Sequence, residues 1–206
     1  PPRSTLFPYT TLFRSIIDKM ALEISGGRLK YDKDAKLALA GKISPELFKA
    51  MSSHPYLKKA PPKSTGREEF GDDYAAALID RCRKNGIGPN DMIRTATEFT
   101  AFCIIESIKK FIIKKRTSAK ARVVCAGGGA ENPLIFDLLM KGLAPFGVET
   151  IRSRDMKIDS KSKEALLMVI LANETIYGRA SNVPSATGAK TPVICGSVAY
   201  QKRKTS

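Results

Sequence analysis

Three short stretches of this sequence carry residue types whose spacing suits ligand chemistry. The first is Val123-Val124-Cys125-Ala126-Gly127-Gly128-Gly129-Ala130-Glu131-Asn132-Pro133. A β-branched strand that breaks into three glycines and then opens a capped helix suits a nucleotide. Without Cβ atoms the backbone can approach a ribose or phosphate, and free N–H groups at a helix start favour an anion. The pattern is neither G-x-G-x-x-G nor G-x-x-x-x-G-K-S, so it is no dinucleotide fingerprint or Walker loop; a plain tight turn accounts for it equally well. The second stretch is Pro61-Pro62-Lys63-Ser64-Thr65-Gly66-Arg67-Glu68. Its prolines stiffen the entry, Lys63 and Arg67 suit anionic oxygens, and Ser64 and Thr65 add hydroxyls. Read alone it is a solvated basic loop. The third, Asn182 to Ala189 after Ser181, is rich in small turn-forming residues that suit a loop folded against a ligand or a neighbouring domain.

Two further features weigh less. Glu164, after Lys163, is a first-turn acid that complements a helix dipole, with substrate contact as the sharper alternative. The basic run Lys109, Lys110, Lys114, Lys115, Arg116, Lys120 and Arg122 has the charge of a nucleic-acid footprint. No aromatic stacking pattern accompanies it, so a solvated helix C-terminus is the better reading. His54, ahead of Pro55 and without triad partners in pattern, is a structural or surface histidine.

These stretches must be positioned by alternating elements. Apolar residues at 16, 17, 20, 21 and 24 mark a helix that ends at Gly26-Gly27. A short helix over 34–40 stops at Gly41, and Ser44-Pro45-Glu46 caps another that runs to about Met51. Residues 54–67 read as loop, and 74–83 as helix. Asn90 or Asp91 caps the longest helix, 92–114, whose stripe of Met92, Ala96, Phe99, Cys103, Ile104, Ile108, Phe111 and Ile112 marks a buried face. Strands follow at 122–126, 148–151 and 193–195, with helices at 132–141 and 162–177 between them. Strands alternating with helices of this length predict an α/β fold with parallel pairing.

The chain has 206 residues, a net charge of +15, four scattered cysteines, one histidine and no tryptophan. An apolar fraction of 43% supports a packed core and excludes bulk disorder. No apolar run is long enough to span a bilayer. Without a C-x-x-C pair the cysteines read as free thiols of a reducing compartment, not as a disulfide frame or zinc site. Residues 1–15, PPRSTLFPYTTLFRS, repeat Thr-Leu-Phe and read as the in-frame translation of a short-read sequencing adapter. They are set aside from fold reasoning, as a tag would be. Without Arg3 and Arg14 the charge falls from +15 to +13. The expectation is a native segment from Ile16 to about residue 200, truncated upstream, and a frayed tail over 201–206.

Taken in order, these segments resemble the anhydro-N-acetylmuramic acid kinases, sugar kinases of the actin-like ATPase superfamily. The resemblance begins at Ile16-Ile17-Asp18 and continues through Tyr31-Asp32-Lys33-Asp34 and Gly41-Lys42. It is most specific at His54-Pro55-Tyr56 with Pro61 to Glu68. Thr95-Ala96-Thr97-Glu98-Phe99-Thr100-Ala101, Gly127 to Pro133, Lys163-Glu164-Ala165 and Asn182 to Ala189 complete it. One departure is Lys161, where the family usually has an aspartate as helix cap; Asp159 or Ser160 takes over that role.

The resemblance implies the C-terminal, nucleotide-facing domain of an actin-like (ribonuclease H-like) ATPase fold, a mixed sheet flanked by helices. It implies hydrolytic opening of 1,6-anhydro-N-acetylmuramic acid and phosphorylation of O6, with ATP and Mg²⁺, in the cytoplasm, as part of cell-wall recycling. Gly127, Gly128, Gly129 and Asn132 would line the adenosine side, with Thr95 and Thr97 facing the nucleotide. Lys63, Ser64, Thr65, Arg67 and Glu164 would face the cleft. The family's G-T-S-x-D-G phosphate loop and its water-activating aspartate are absent, so no catalytic residue and no metal ligand is assigned and this chain is expected to be inactive alone. Expected partners are the two small substrates, with neither nucleic acid nor membrane; the family tends towards homodimers. The alternative reading is a basic nucleic-acid-binding module or a nucleotide-binding module without chemistry.

Overall fold

The computed structural model describes residues 9–60, 67–113, 121–158, 162–184 and 188–199. One long helix organises them. Helix α1 (Tyr9–Ile24), α2 (Lys36–Leu39), α3 (Pro45–Ser52), α4 (Arg67–Phe70) and α5 (Asp72–Lys84) precede α6 (Pro89–Phe111). Strand β1 (Ala121–Cys125), α7 (Pro133–Leu143), β2 (Val148–Arg152) and α8 (Lys163–Ile176) follow. Helices α1, α2, α3 and α7 all pack on α6, which at 23 residues is about 35 Å long.

The apolar spacing explains the packing. Ile16, Ile17, Met20 and Ala21 form the buried stripe of α1, and Met92, Ala96, Phe99, Cys103, Ile104 and Ile108 that of α6. Phe111 and Ile112, at the end of the expected stripe, are only half-buried. Within α6 the hydroxyls of Thr95, Thr97 and Thr100 each donate to the carbonyl four residues back, at 2.6–2.8 Å. This arrangement lets a threonine lie in a core without an unmet donor.

Local chemistry sets the entries. The Ser44 hydroxyl accepts the Leu47 N–H at 3.3 Å, with Pro45 in the first turn of α3. Asp32 is buried, and its carboxylate accepts the N–H groups of Leu37 (2.9 Å) and Ala38 (3.0 Å). Those bonds support the start of α2, where Asp34 and Ala35 hold left-handed φ values of 57° and 56°, a conformation that costs non-glycine residues about 1–2 kcal/mol each. Gly41 lies against the Asn90 carbonyl, where a Cβ would overlap backbone. The close approach lets the Asp91 carboxylate accept the Lys42 N–H at 2.7 Å.

Several expected boundaries shift. α6 begins at Pro89, after Gly88, so neither Asn90 nor Asp91 is its cap; Asp91 serves the Lys42 turn instead. The short helix at 34–40 splits at Asp34 and Ala35 into a 3-10 turn (Lys33–Ala35) and α2. The expected 54–67 loop contains a 3-10 turn, Pro55–Lys58, and the start of α4. The expected strand at 193–195 does not form: this stretch folds back as a loop, its Val193 carbonyl accepting the Ser181 N–H at 3.1 Å. Residues 159–161 and 201–206, with the expected cap and tail, lie outside the described residues.

Strands β1 and β2 pair in parallel, Ala121 opposite Val148 through Cys125 opposite Arg152, as the alternation of strand and helix predicts. Ala121, Val123 and Cys125 pack on the core. Arg122 and Val124 lie on the other face and are exposed.

Candidate functional site

Asn132 caps α7 as its sequence predicts, but with a consequence the sequence does not show. Its Oδ1 accepts the N–H groups of both Leu134 (3.1 Å) and Ile135 (3.0 Å), and Pro133 has no N–H. The amides expected to be open to an anion at this helix start are therefore already paired. The amides left over belong to the turn before it. Gly128 and Gly129 open a 3-10 turn, Gly128–Glu131, and the first N–H groups of such a turn have no partner within it. Gly127 enters the turn at φ 86°, ψ 175°, a region essentially reserved for glycine. A Cβ there would meet nothing within 4 Å, so the space above the turn is open.

The end of β2 and the 3-10 turn after it, Ser153–Met156, clamp this turn through residues that motif reading misses. The Arg152 Nε donates to the Ala130 carbonyl at 3.1 Å, and its guanidinium lies 3.6 Å from the Phe136 ring centroid. Arg154 pairs with Glu131 at 2.9 Å. Asp155 accepts the Arg152 N–H at 2.9 Å, which orients the strand end. The signal was available in the pairing itself: in a parallel pair the ends of β1 and β2 lie side by side, so an arginine ending β2 reaches the turn after β1. Burial pushes the neighbouring Cys125 thiol up, with Arg152 opposing, so this cysteine is a poor nucleophile at neutral pH.

Thr95 and Thr97 are fully buried. The Thr95 hydroxyl donates to the Asp91 carbonyl and accepts the Ser44 N–H at 2.8 Å; Thr97 donates to Ile93. Both have their hydroxyls committed to backbone and neither has surface to offer a ligand. Lys63, Ser64 and Thr65 lie outside the described residues, as do the side chains of Arg67 and Glu164, whose backbones lie in the first turns of α4 and α8.

The described residues on either side of 61–66 are nonetheless tied together. His54 packs on Phe70 (4.5 Å between centroids) and Tyr74 (5.2 Å), and Tyr56 on Phe70 (5.6 Å). Glu69 pairs with Lys59 at 3.0 Å and lies 3.8 Å from the His54 Nε2, while the His54 Nδ1 accepts the Tyr56 N–H at 3.3 Å. His54 is thus a structural residue that joins the segments before and after residues 61–66. Burial lowers its pKa below 6.5, opposed by Glu69 and aided by Lys59. A lowered folded value means that its contribution to stability is complete above pH 6.5 and is lost as pH falls through the folded pKa. The melting temperature is expected to drop between pH 7.5 and 5.5. His54→Asn should flatten that part of the profile; an unchanged profile in the variant would assign the drop to other groups.

The described members of the basic run are each engaged. Lys109 pairs with Glu106 and lies over the Phe146 ring, Lys110 lies over Phe111, and Arg122 pairs with Glu149 at 2.7 Å. All four cysteines are free. Among the described residues no helix is long and apolar enough to cross a membrane.

Fold and turn together define an α/β protein whose glycine turn sits at the carboxyl end of a parallel strand, where open parallel sheets receive ligands. The comparison with known families makes this specific. Residues 10–201 match the model of the anhydro-N-acetylmuramic acid kinase family, and the chain belongs to that family. It is 37% identical over 183 residues to an anhydro-N-acetylmuramic acid kinase of Caldanaerobacter subterraneus, covering 89% of this chain and 45% of the relative. It is likewise 37% identical over 185 residues to that of Bacillus cereus, covering 90% and 47%. The chain spans about half the length of the curated relatives it matches.

Proposed function

We propose that this chain is the C-terminal, nucleotide-facing part of an actin-like sugar kinase. The complete enzyme would open 1,6-anhydro-N-acetylmuramic acid with water and phosphorylate O6 from ATP in the cytoplasm. One observation carries the reading: an open glycine turn, clamped by Arg152 and Arg154, ends the first strand of a parallel pair in a chain of this family.

ATP fits this turn. Gly127 gives the space, Gly128 and Gly129 the unpaired amides, and Arg152 holds the turn by bonding the Ala130 carbonyl. Asn132 acts by fixing the start of α7. When bound, ATP supplies the phosphoryl group, and catalysis of this type rests on positioning and charge neutralisation. Mg²⁺ finds no ligand set here: among the described residues no three His, Cys, Asp or Glu side chains gather to hold a metal, and no step is assigned to it. The water-activating aspartate is supplied by the part of the enzyme outside this chain.

Amide hydrogen exchange tests the site. ATP is expected to slow exchange at Gly128 and Gly129 with little change along α3; no nucleotide-dependent protection in the turn would refute it. Incubated alone with ATP and the anhydro sugar, the chain is expected to form no sugar phosphate. Measured turnover would overturn the fragment reading.

A further inference from the structure

Helix α8 is apolar on every side. Leu166, Leu167, Met168, Val169 and Ile170 are consecutive, and at about 100° per residue they pass completely round the helix. A helix hydrophobic all round belongs in an interior. Here it has none: Val169 is 65% exposed, Met168 61%, and the other three close to half. Described residues after it are tied back to it and to one another. The Thr175 hydroxyl donates to the Cys195 carbonyl at 2.7 Å. Asn182 brackets the loop through the Thr191 carbonyl (3.1 Å) and the Val193 N–H (2.7 Å). Val193 and Ile194 add exposed apolar surface to the same unit.

The sheet shows a matching deficiency. Parallel sheets are covered on both faces, yet Val124 is exposed on the face opposite the core, beside the Arg122–Glu149 pair. Among the described residues that sheet has two strands. A helix laid on it would bury only the side facing the strands and leave its other side exposed. More polypeptide is required, and the relatives have it: the chain spans only 45–47% of their length.

We infer that the apolar surface of α8, with the bare face of the β1–β2 sheet, is the docking seat for the half of the kinase polypeptide that this chain does not contain. The inference rests on the kinase reading. The exposed α8 surface is then an interior surface of the complete enzyme. The Asn182 bracket and the Thr175–Cys195 bond hold its shape before docking.

The test is co-expression of the 206-residue chain with the segment of the Caldanaerobacter kinase to which it does not align, followed by affinity co-purification. The wild-type chain is expected to retain that segment in a one-to-one complex. Leu166→Glu with Val169→Glu should weaken retention about tenfold or more, because each charge would be buried unpaired. Both positions are exposed in this chain, so the double variant alone should melt with the wild type. Absence of any complex, or equal retention by the variant, overturns the inference. So does a lowered melting temperature of the variant, which would mean that α8 already packs within the chain. Wild-type dimers that the variant dissolves, without capture of the segment, would assign the surface to a second copy. Binding of α8 to phosphatidylcholine–phosphatidylglycerol vesicles instead of the segment would likewise overturn it. A complex that forms and is α8-dependent but phosphorylates no anhydro sugar leaves the docking seat standing and removes the kinase reading. An active complex indifferent to the variant does the reverse.

Discussion

Replacing Phe99 by alanine is expected to cost about 3–5 kcal/mol, the usual range for emptying a buried aromatic site. Phe99 has no exposed surface and sits mid-way along α6, the helix on which α1, α2, α3 and α7 converge. Its ring meets Phe48 of α3 edge-on at 5.7 Å and 84°, and Phe48 in turn meets Phe102 at 5.3 Å. Aromatic pairs of this geometry add about 0.5–1.5 kcal/mol beyond area burial, and a helix crossing cannot close around a missing ring without moving backbone. For a chain of this size the loss corresponds to a melting temperature lower by roughly 10 °C. Urea denaturation measures it directly through the midpoint at constant slope. Phe102→Ala, at a half-exposed ring, is the control and should cost far less. Equal effects at the two positions would mean that Phe99 is not the better-packed ring of the pair.

The same residue shows why so much of the fold is legible in the sequence. Phe99 belongs to a stripe at helical spacing, and such a stripe on an amphipathic helix of a folded domain faces the core. Ser44-Pro45 and Asn132-Pro133 are equally legible, because a capping oxygen followed by a proline suits only a helix start. The parallel strands follow from their helical connection. What escaped the sequence depends on contacts distant along the chain. Asp91 has the look of a cap, and Lys42, forty-nine residues earlier, claims it. Thr95 and Thr97 are polar residues on a helix, and nothing local says that the core would close over them. At 193–195 the β-branched pair suggests a strand, yet Asn182 takes the Val193 N–H that a ladder would need. The glycine turn was legible as a turn; the clamp from Arg152 was not, since it spans twenty-two residues. Nor did the sequence show that Asn132 would consume the helix-start amides and leave the ligand-facing ones in the turn before it.

That last point makes Gly127 the most informative position in the candidate site. Of the three consecutive glycines it alone has a positive φ, at 86°, and with ψ at 175° its conformation excludes other residues for backbone reasons. A Cβ would collide with nothing, so Gly127→Ala isolates the conformational cost, about 1–3 kcal/mol. The chain relieves such strain by turning the Gly127–Gly128 peptide. That movement disturbs the bond from the Ala130 N–H to the Gly127 carbonyl, now 3.0 Å, and with it the amides of Gly128 and Gly129. Loss of stability and loss of nucleotide-dependent exchange protection are therefore expected together in Gly127→Ala. Gly129→Ala, free of the φ penalty, should retain more of both. A third variant separates the clamp from the turn. Arg152→Met keeps the long apolar stem against Phe136 but frees the Ala130 carbonyl, so it should weaken protection while leaving Gly127 in place. If Gly127→Ala lowers stability but leaves the ATP response intact, the turn is a structural corner and the nucleotide lies elsewhere. If stability and ATP response fall together, and Arg152→Met weakens only the response, the turn is the nucleotide site and β2 is what holds it in shape.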